Sequence, residues 1–269
     1  MNSVAPNRLG FFGPAGTFTH RAALLCANPD DDLLPFDPID KVYDAVLDGH
    51  VDRAVAPIEN SAEGYVPPSV AQLWRLRGKI FAVDHVSIPV TFSLYRKIGD
   101  LTQMTRLAGH PMALRQIAHW IEAKAVPTRE ASSSARGLEI AAKGEPGLYA
   151  LGPPDVGEMF SLEEVETHLE GKTANRTRFL ALAAAPAPLS GTRLCTLCLD
   201  PVSQSQMLMR AGLTLRNFQC SPTKTENSLG GYAYFCEWDL GTPISPDHAS
   251  ALDYGTDGWF IGVLGNIRG

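Results

Sequence analysis

Thr177 and Arg178 open an apolar, strand-like run in "NRTRFLALAA" (175–184). A hydroxyl and a guanidinium at a strand entrance have two readings. Sheet margins favour β-branched residues and tolerate arginine, and strand ends in α/β proteins are where small ligands are held. Four further stretches place polar residues just ahead of a helical or turn pattern. Thr17 and Thr19 stand in "FFGPAGTFTHRAALL", Glu59, Asn60 and Ser61 in "APIENSAEGYV". His110 precedes Pro111, and Ser132, Ser133 and Ser134 precede "ARGLEIAA". Each can cap a helix, since such side chains satisfy free N–H groups, and proline suits the first helical position. Taken together they also make a set of neutral donors and helix N-termini with one cation. That set fits a small carboxylate-bearing substrate.

The positions must be built by a chain of 269 residues, 45% hydrophobic and 19% charged, with a formal net charge of −6. Such a chain has ample length for a core and an ordinary globular composition. Its acidic balance argues against a nucleic-acid partner, which needs a basic face. No apolar run approaches the ~20 residues of a membrane span, and "MNSVAPNRLGFFG" has no basic region followed by an apolar core, so the expected location is cytoplasmic. Five cysteines are an odd count with no disulfide framework. Cys195 and Cys198 form a C-x-x-C, but on a strand residues three apart face opposite sides. They read as packing residues rather than metal ligands. "GPAGTF" lacks the Lys-Ser/Thr pair of a phosphate-binding loop, and no G-x-S-x-G, H-E-x-x-H or G-x-G-x-x-G occurs. The expectation is chemistry without metal or cofactor, or simple binding.

The elements alternate. "RLGFFG", "RAVAPIE", "TRLAGH", "GLYALG" and "NRTRFLALAA" read as strands; "HRAALLCA", "DKVYDAVLDGH", "SVAQLWRLR", "MALRQIAHWIEAK" and "SSSARGLEIAAKG" read as helices. This predicts a mostly parallel α/β arrangement. The extended "FAVDHVSIPVTFSLYRK" leads into a second lobe and "NRTRFLALAA" returns from it, so a cleft between two lobes is expected. "AAAPAPLSG" (183–191) is a small-residue linker. After it, "TRLCTLCLD", "LTLRNFQC" and "GYAYFCEWDLG" read as strands, with "QSQMLMRAG" and "SPDHASALD" as short helices.

"GPAGTFTHRAA", "DAVLDGHVDRAVAPIENSAEGYV", "HPMALRQ", "SSSARGLEIAA" and "NRTRFLAL" stand in the order found in prephenate dehydratases, which the chain resembles from about Leu9 to Ala183. The resemblance implies a two-lobed, periplasmic-binding-protein-like catalytic domain over 1–184, with its second lobe about 86–165. An α+β, ACT-like domain would span 191–269. It implies conversion of prephenate, a dicarboxylate, to phenylpyruvate with loss of water and CO2, and a homodimer or homotetramer. Thr177 is then the residue that assists departure of hydroxide, as a positioned donor. Asn60 and Glu59 would share the catalytic part, with Glu59 a structural acceptor or a rival acid. Arg178 would pair with a substrate carboxylate and Phe179 would pack beside the ring. Thr17, Ser61, Ser133, Ser134 and His110 would supply further contacts.

The chain departs from the family at His20, where glutamate is usual, at Met112 after H-P, where glutamine is usual, and at Ser133–Ser134–Ala135, where S-T-A is usual. Its first regulatory loop reads "PVSQSQML" and its second, Gln219 to Pro222, keeps only the proline, which predicts weak or absent inhibition by phenylalanine. Rival readings are arogenate dehydratase, a non-aromatising prephenate decarboxylase, and a non-catalytic carboxylate-binding protein.

Overall fold

Leu9 and Phe11 are buried along β1 (Arg8–Phe12), the first strand of a computed structural model that describes residues 7–171, 175–187, 191–222, 231–255 and 257–265. There follow α1 (Phe18–Cys26), β2 (Asp32–Phe36), α2 (Ile39–Leu47), β3 (Arg53–Asn60), the short β4 (Gly64–Tyr65), α3 (Pro67–Arg75) and β5 (Phe81–Pro89). α2 buries Val42, Tyr43, Ala45 and Val46, the three- and four-residue spacing of a one-sided helix. α3 starts on two prolines, which fit its first turn.

The middle of the chain forms β6 (Ser93–Lys97), β7 (Arg106–Gly109), α4 (Pro111–Gln116), α5 (Ala118–Lys124), β8 (Thr128–Glu130), α6 (Ser134–Lys143), β9 (Leu148–Gly152) and β10 (Leu162–Glu166). The helix expected over "MALRQIAHWIEAK" breaks in two at Ile117, whose backbone leaves the helical region. The last third gives β11 (Arg176–Ala183), β12 (Gly191–Cys198), α7 (Pro201–Arg210), β13 (Thr214–Pro222), β14 (Tyr232–Ile244), α8 (Pro246–Ser250) and β15 (Gly258–Leu264).

Two compact units result. One holds the residues up to Phe12, Ala22–Ile88 and everything from Thr177 onward; the other holds Gly13–Arg21 and Pro89–Arg176. The division falls inside β5 and inside β11. It also detaches the "GPAGTFTHR" segment from its sequence neighbours, which local pattern gives no sign of. The first unit's main sheet runs β2-β1-β3-β11-β5, with β4 against β3. β1 is parallel to β2 and β3, whereas β11 and β4 run antiparallel to β3. The second unit's sheet, β10-β6-β9-β7-β8, is mixed in the same way. The mostly parallel arrangement is therefore corrected to a mixed one, because strands that return from the other unit need not keep the βαβ direction.

The last sheet, β13-β14-β12-β15, has two apolar faces. Cys195, Leu197, Phe235, Ile261 and Leu264 join the core built by Val42, Tyr43, Leu73, Ile80 and Leu180. Leu194, Cys198, Cys236, Trp238, Phe260 and Val263 pack with Leu208 of α7 and Ala249 of α8. Cys195 and Cys198 thus occupy opposite faces, as strand geometry requires. Part of the expected linker, 188–190, lies outside the described residues, as does most of the loop after Pro222. No helix among the described residues is long and apolar enough to cross a membrane.

Candidate active site

The end of β3 and the start of β11 form the polar centre of the first unit. Their antiparallel register sets Thr177 opposite Asn60 and Arg178 opposite Glu59, with a bulge between Arg178 and Phe179. Asn60 Nδ2 donates to Thr177 Oγ1 at 2.8 Å. Asn60 Oδ1 accepts the backbone N–H groups of Ala62 and Glu63, at 2.9 and 3.0 Å. Those two donors fix which way the amide faces, so Nδ2 must point at Thr177. An amide nitrogen accepts nothing, and the Thr177 hydroxyl hydrogen is therefore directed to another partner. Accepting one hydrogen bond also polarises the hydroxyl as a donor. Thr177 and Asn60 are half-buried, neither sealed in the core nor open to bulk water.

Arg178 is placed differently from the expectation. It is 5% exposed, and its Nη1 and Nη2 donate to Glu237 Oε1 and Oε2 at 2.6 and 2.7 Å. Nε donates to Glu59 Oε2 at 3.1 Å, and Nη2 lies 2.9 Å from the same oxygen. With its fork filled by two protein carboxylates, the guanidinium in this arrangement holds Glu59 and Glu237 rather than a ligand. Phe179 is likewise placed differently: at 1% exposure it belongs to the core, on the Thr177 side of β11 and opposite Arg178 and Leu180, since the extra residue of the bulge is Ile58 of β3.

Glu237 was missed by sequence reasoning. It lies on β14 opposite Cys195 of β12, two residues from Phe235, and so on the face that joins the main core. A carboxylate at an inward position of an apolar strand is the signal that could have found it. Tyr65 Oη donates to Glu237 Oε2 at 3.0 Å, and Arg193 Nη1 stands 3.9 Å from Oε1. Burial pushes the Glu237 carboxyl up, but the hydrogen bonds and charge of Arg178, with help from Arg193 and Tyr65, hold it below the ordinary value. Burial, followed by the negative charges of Glu237 and Glu59, raises the Tyr65 phenol.

In the second unit the predicted residues serve their own helices. Thr17 Oγ1 donates to the Pro14 carbonyl at 2.9 Å and accepts the His20 N–H at 3.3 Å. His110 Nδ1 accepts the Met112 N–H at the start of α4. Ser133 Oγ accepts the Arg136 N–H and caps α6, while Ser134 is the first residue of α6. Ser61, in the first unit, is exposed on the β3–β4 turn. His20 Nδ1 accepts the Gly16 N–H at 3.2 Å, which ties down a turn where Gly16 has φ +82 and a Cβ would meet the Phe160 ring at 2.6 Å. Burial lowers the His20 and His110 pKa values below the ordinary one, consistent with neutral rings whose Nδ1 accepts. Arg21, one turn beyond Thr17, has a buried Nη1 without a hydrogen-bond partner.

Comparison with known proteins places these residues in a family. The prephenate dehydratase model matches residues 9–187. The prephenate dehydratase of Amycolatopsis methanolica is 28% identical over 257 residues, covering 91% of this chain and 83% of the relative. Among solved structures, one described as GqqA, a novel type of quorum quenching acylase, matches with a TM-score of 0.79 at 23% identity, covering 96% of this chain and 98% of its own. The prephenate dehydratase of Arthrobacter aurescens in complex with L-Phe matches with a TM-score of 0.78 at 22% identity, covering 96% and 90%. The fold is thus that of these proteins, and with two thirds of its length matched by the family model, the chain belongs to the prephenate dehydratase family.

Proposed function

We propose that this chain is a lyase converting prephenate to phenylpyruvate, water and CO2, with the Asn60–Thr177 pair as its chemical centre. Breaking the bond from the ring to its carboxylate sends an electron pair into the diene, and the pair leaves with the C4 hydroxyl as hydroxide. The ring becomes aromatic, which supplies the driving force. Thr177 donates its hydroxyl hydrogen to the leaving oxygen, solvent makes good the proton, and prephenate dianion yields phenylpyruvate monoanion. An alcohol is a weak acid, so the gain comes from a hydrogen bond that strengthens as charge develops on that oxygen. The observation that carries the reading is the Asn60 donor at 2.8 Å, which leaves the Thr177 hydrogen directed elsewhere. Glu59, held by Arg178, acts as a structural acceptor beside this pair rather than as the acid.

The substrate carboxylates require donors and a cation that Arg178 does not supply. Ser61, Ser133, Ser134 and His110 are the proposed donors, and Arg21 the cation; the expected contact from Thr17 is withdrawn, because its one hydroxyl hydrogen goes to the Pro14 carbonyl. Arg21→Met is expected to raise KM for prephenate well beyond any change in kcat; an unchanged KM removes Arg21 from the site. Product analysis with prephenate and arogenate side by side tests the whole reading. Phenylpyruvate formed from prephenate, and lost in Thr177→Val, supports it. Phenylalanine from arogenate alone, loss of CO2 without water, or binding without turnover favours the three rivals in turn.

Finer features belong to the same proposal: a catalytic part over 1–184 with a second lobe about 86–165, an ACT-like part over 191–269, a homodimer or homotetramer, and a cytoplasmic location. Weak phenylalanine inhibition is supported by Asp200, whose carboxylate takes the Val202 and Ser203 N–H groups at the head of α7. An amino acid's carboxylate would meet a negative group there instead of free donors. Strong inhibition by millimolar phenylalanine would overturn this part.

A further inference from the structure

Thr177 and Asn60 sit on a clamp whose far jaw belongs to the last sheet. Three contacts converge on the β3–β4–β11 corner: Asn60 to Thr177, Glu59 to Arg178, and Tyr65 to Glu237. The first ties the turn to β11 directly. The other two run to Glu237, which grips Arg178 through two bonds of 2.6 and 2.7 Å and receives the Tyr65 hydroxyl on one of the same oxygens. Tyr65 pairs with Glu59 across the β3–β4 ladder, and Gly64 with Asn60. A single carboxylate therefore holds β11, which carries Thr177, and β4, which follows the turn that orients Asn60. At 2% exposure, on the face it shares with Cys195, Leu197 and Phe235, it is shut off from bulk solvent and depends on Arg178 and Tyr65 for its hydrogen bonds. Any departure of Glu237 leaves the buried guanidinium with Glu59 as its remaining carboxylate, and Arg178 is then free to shift toward it.

We propose that Glu237 is a positioning residue for the dehydration, acting through Arg178 and Tyr65 to hold the Asn60 amide on Thr177, so that the last sheet is part of the catalytic apparatus. This rests on the reading of Thr177 as the hydroxyl that assists water loss. A misplacement of about 1 Å can lower a rate by ~10², and that is the scale expected here. The effect falls on kcat, because Glu237 touches no substrate.

The test separates positioning from the general burden of a buried charge. Glu237→Gln in the full chain should lower kcat for prephenate by about 10- to 100-fold with a smaller change in KM. Arg178→Met/Glu237→Met removes both charges and should recover the melting temperature lost in either single variant, while kcat stays low. Hydrogen exchange of the Asn60 side-chain amide, followed by nitrogen-15 NMR, reads the same contact without turnover: protection in the wild type should fall at least tenfold in the double variant. Recovery of kcat together with melting temperature, or Asn60 protection unchanged in the double variant, overturns the proposal. A wild type that forms no phenylpyruvate would sink the dehydratase reading alone, since the amide exchange still decides whether Glu237 positions Asn60.

Discussion

The polar residues expected at the site are used in opposite ways by the two units. In the second, Ser133 and His110 each bond a backbone N–H two or three residues away, and Thr17 does the same just ahead of α1. In the first, Thr177 meets Asn60 across 117 residues of sequence, and Arg178 meets Glu59 across 119 and Glu237 across 59. Local caps stabilise the helix that carries them and leave a residue's remaining valences for a ligand. Long-range pairs exist only once the sheets are assembled, so they tie chemistry to tertiary structure. If that contrast is sound, variants in the first unit should cost far more than variants in the second.

The largest effect is expected at Thr177. Thr177→Val keeps the β-branched shape that suits β11 and removes only the hydroxyl, so kcat should fall by ~10²–10⁴, the range for a positioned proton or hydrogen-bond donor, at nearly unchanged melting temperature. Thr177→Ser should retain much of the rate. A Val variant with wild-type kcat would remove Thr177 from the reaction. Next comes Arg178→Met, which leaves Glu237 buried without its main partner. Breaking a buried pair from one side costs about 3–5 kcal/mol, to be read from the urea midpoint of the full chain. A loss below about 1 kcal/mol, typical of an exposed ion pair, would show that the arrangement around Glu237 relaxes.

The same contrast decides what the sequence could tell. Helix starts announce themselves in a few residues, so the caps at Thr17, His110 and Ser133 and the strand carrying Thr177 were readable from local pattern. Arg178 was legible as a functional position but not in its role, because a fork that suits a substrate carboxylate suits Glu237 equally well, and Glu237 lies on a strand that sequence order keeps apart from β11. β2, with Pro35 within it and mostly exposed, and the acidic edge strand β10 carry too little apolar alternation to be recognised. The grouping of Gly13–Arg21 with the second unit has no local signature at all.

Smaller effects sharpen the second-unit side. Ser133→Ala should lose about 1 kcal/mol of stability, the usual worth of an N-cap, whereas Ser133→Gly should lose only a few tenths. If the Ser133 hydroxyl also donates to substrate, both variants raise KM alike, although only one weakens α6. A normal KM in both would leave Ser133 as a cap and nothing more.

The smallest effect is expected at His20, and it is a matter of pH. Burial holds its folded pKa below the ordinary value near 6.5, and protonation would end its acceptance of the Gly16 N–H. The unfolded chain therefore takes up this proton at a higher pH than the folded one. The contribution is fully present above the unfolded value and is lost as pH falls through the folded one, so stability should decline on acidification from pH 7 toward 5. His110 shares that direction, which makes the total slope uninformative by itself. His20→Asn keeps an acceptor and removes the titration, so its urea midpoint should fall less steeply over this window, with up to one proton fewer taken up on unfolding. Identical slopes for variant and wild type would mean that the Gly16 turn survives a charged ring, and that this contact, unlike those at Thr177, can be given up without consequence.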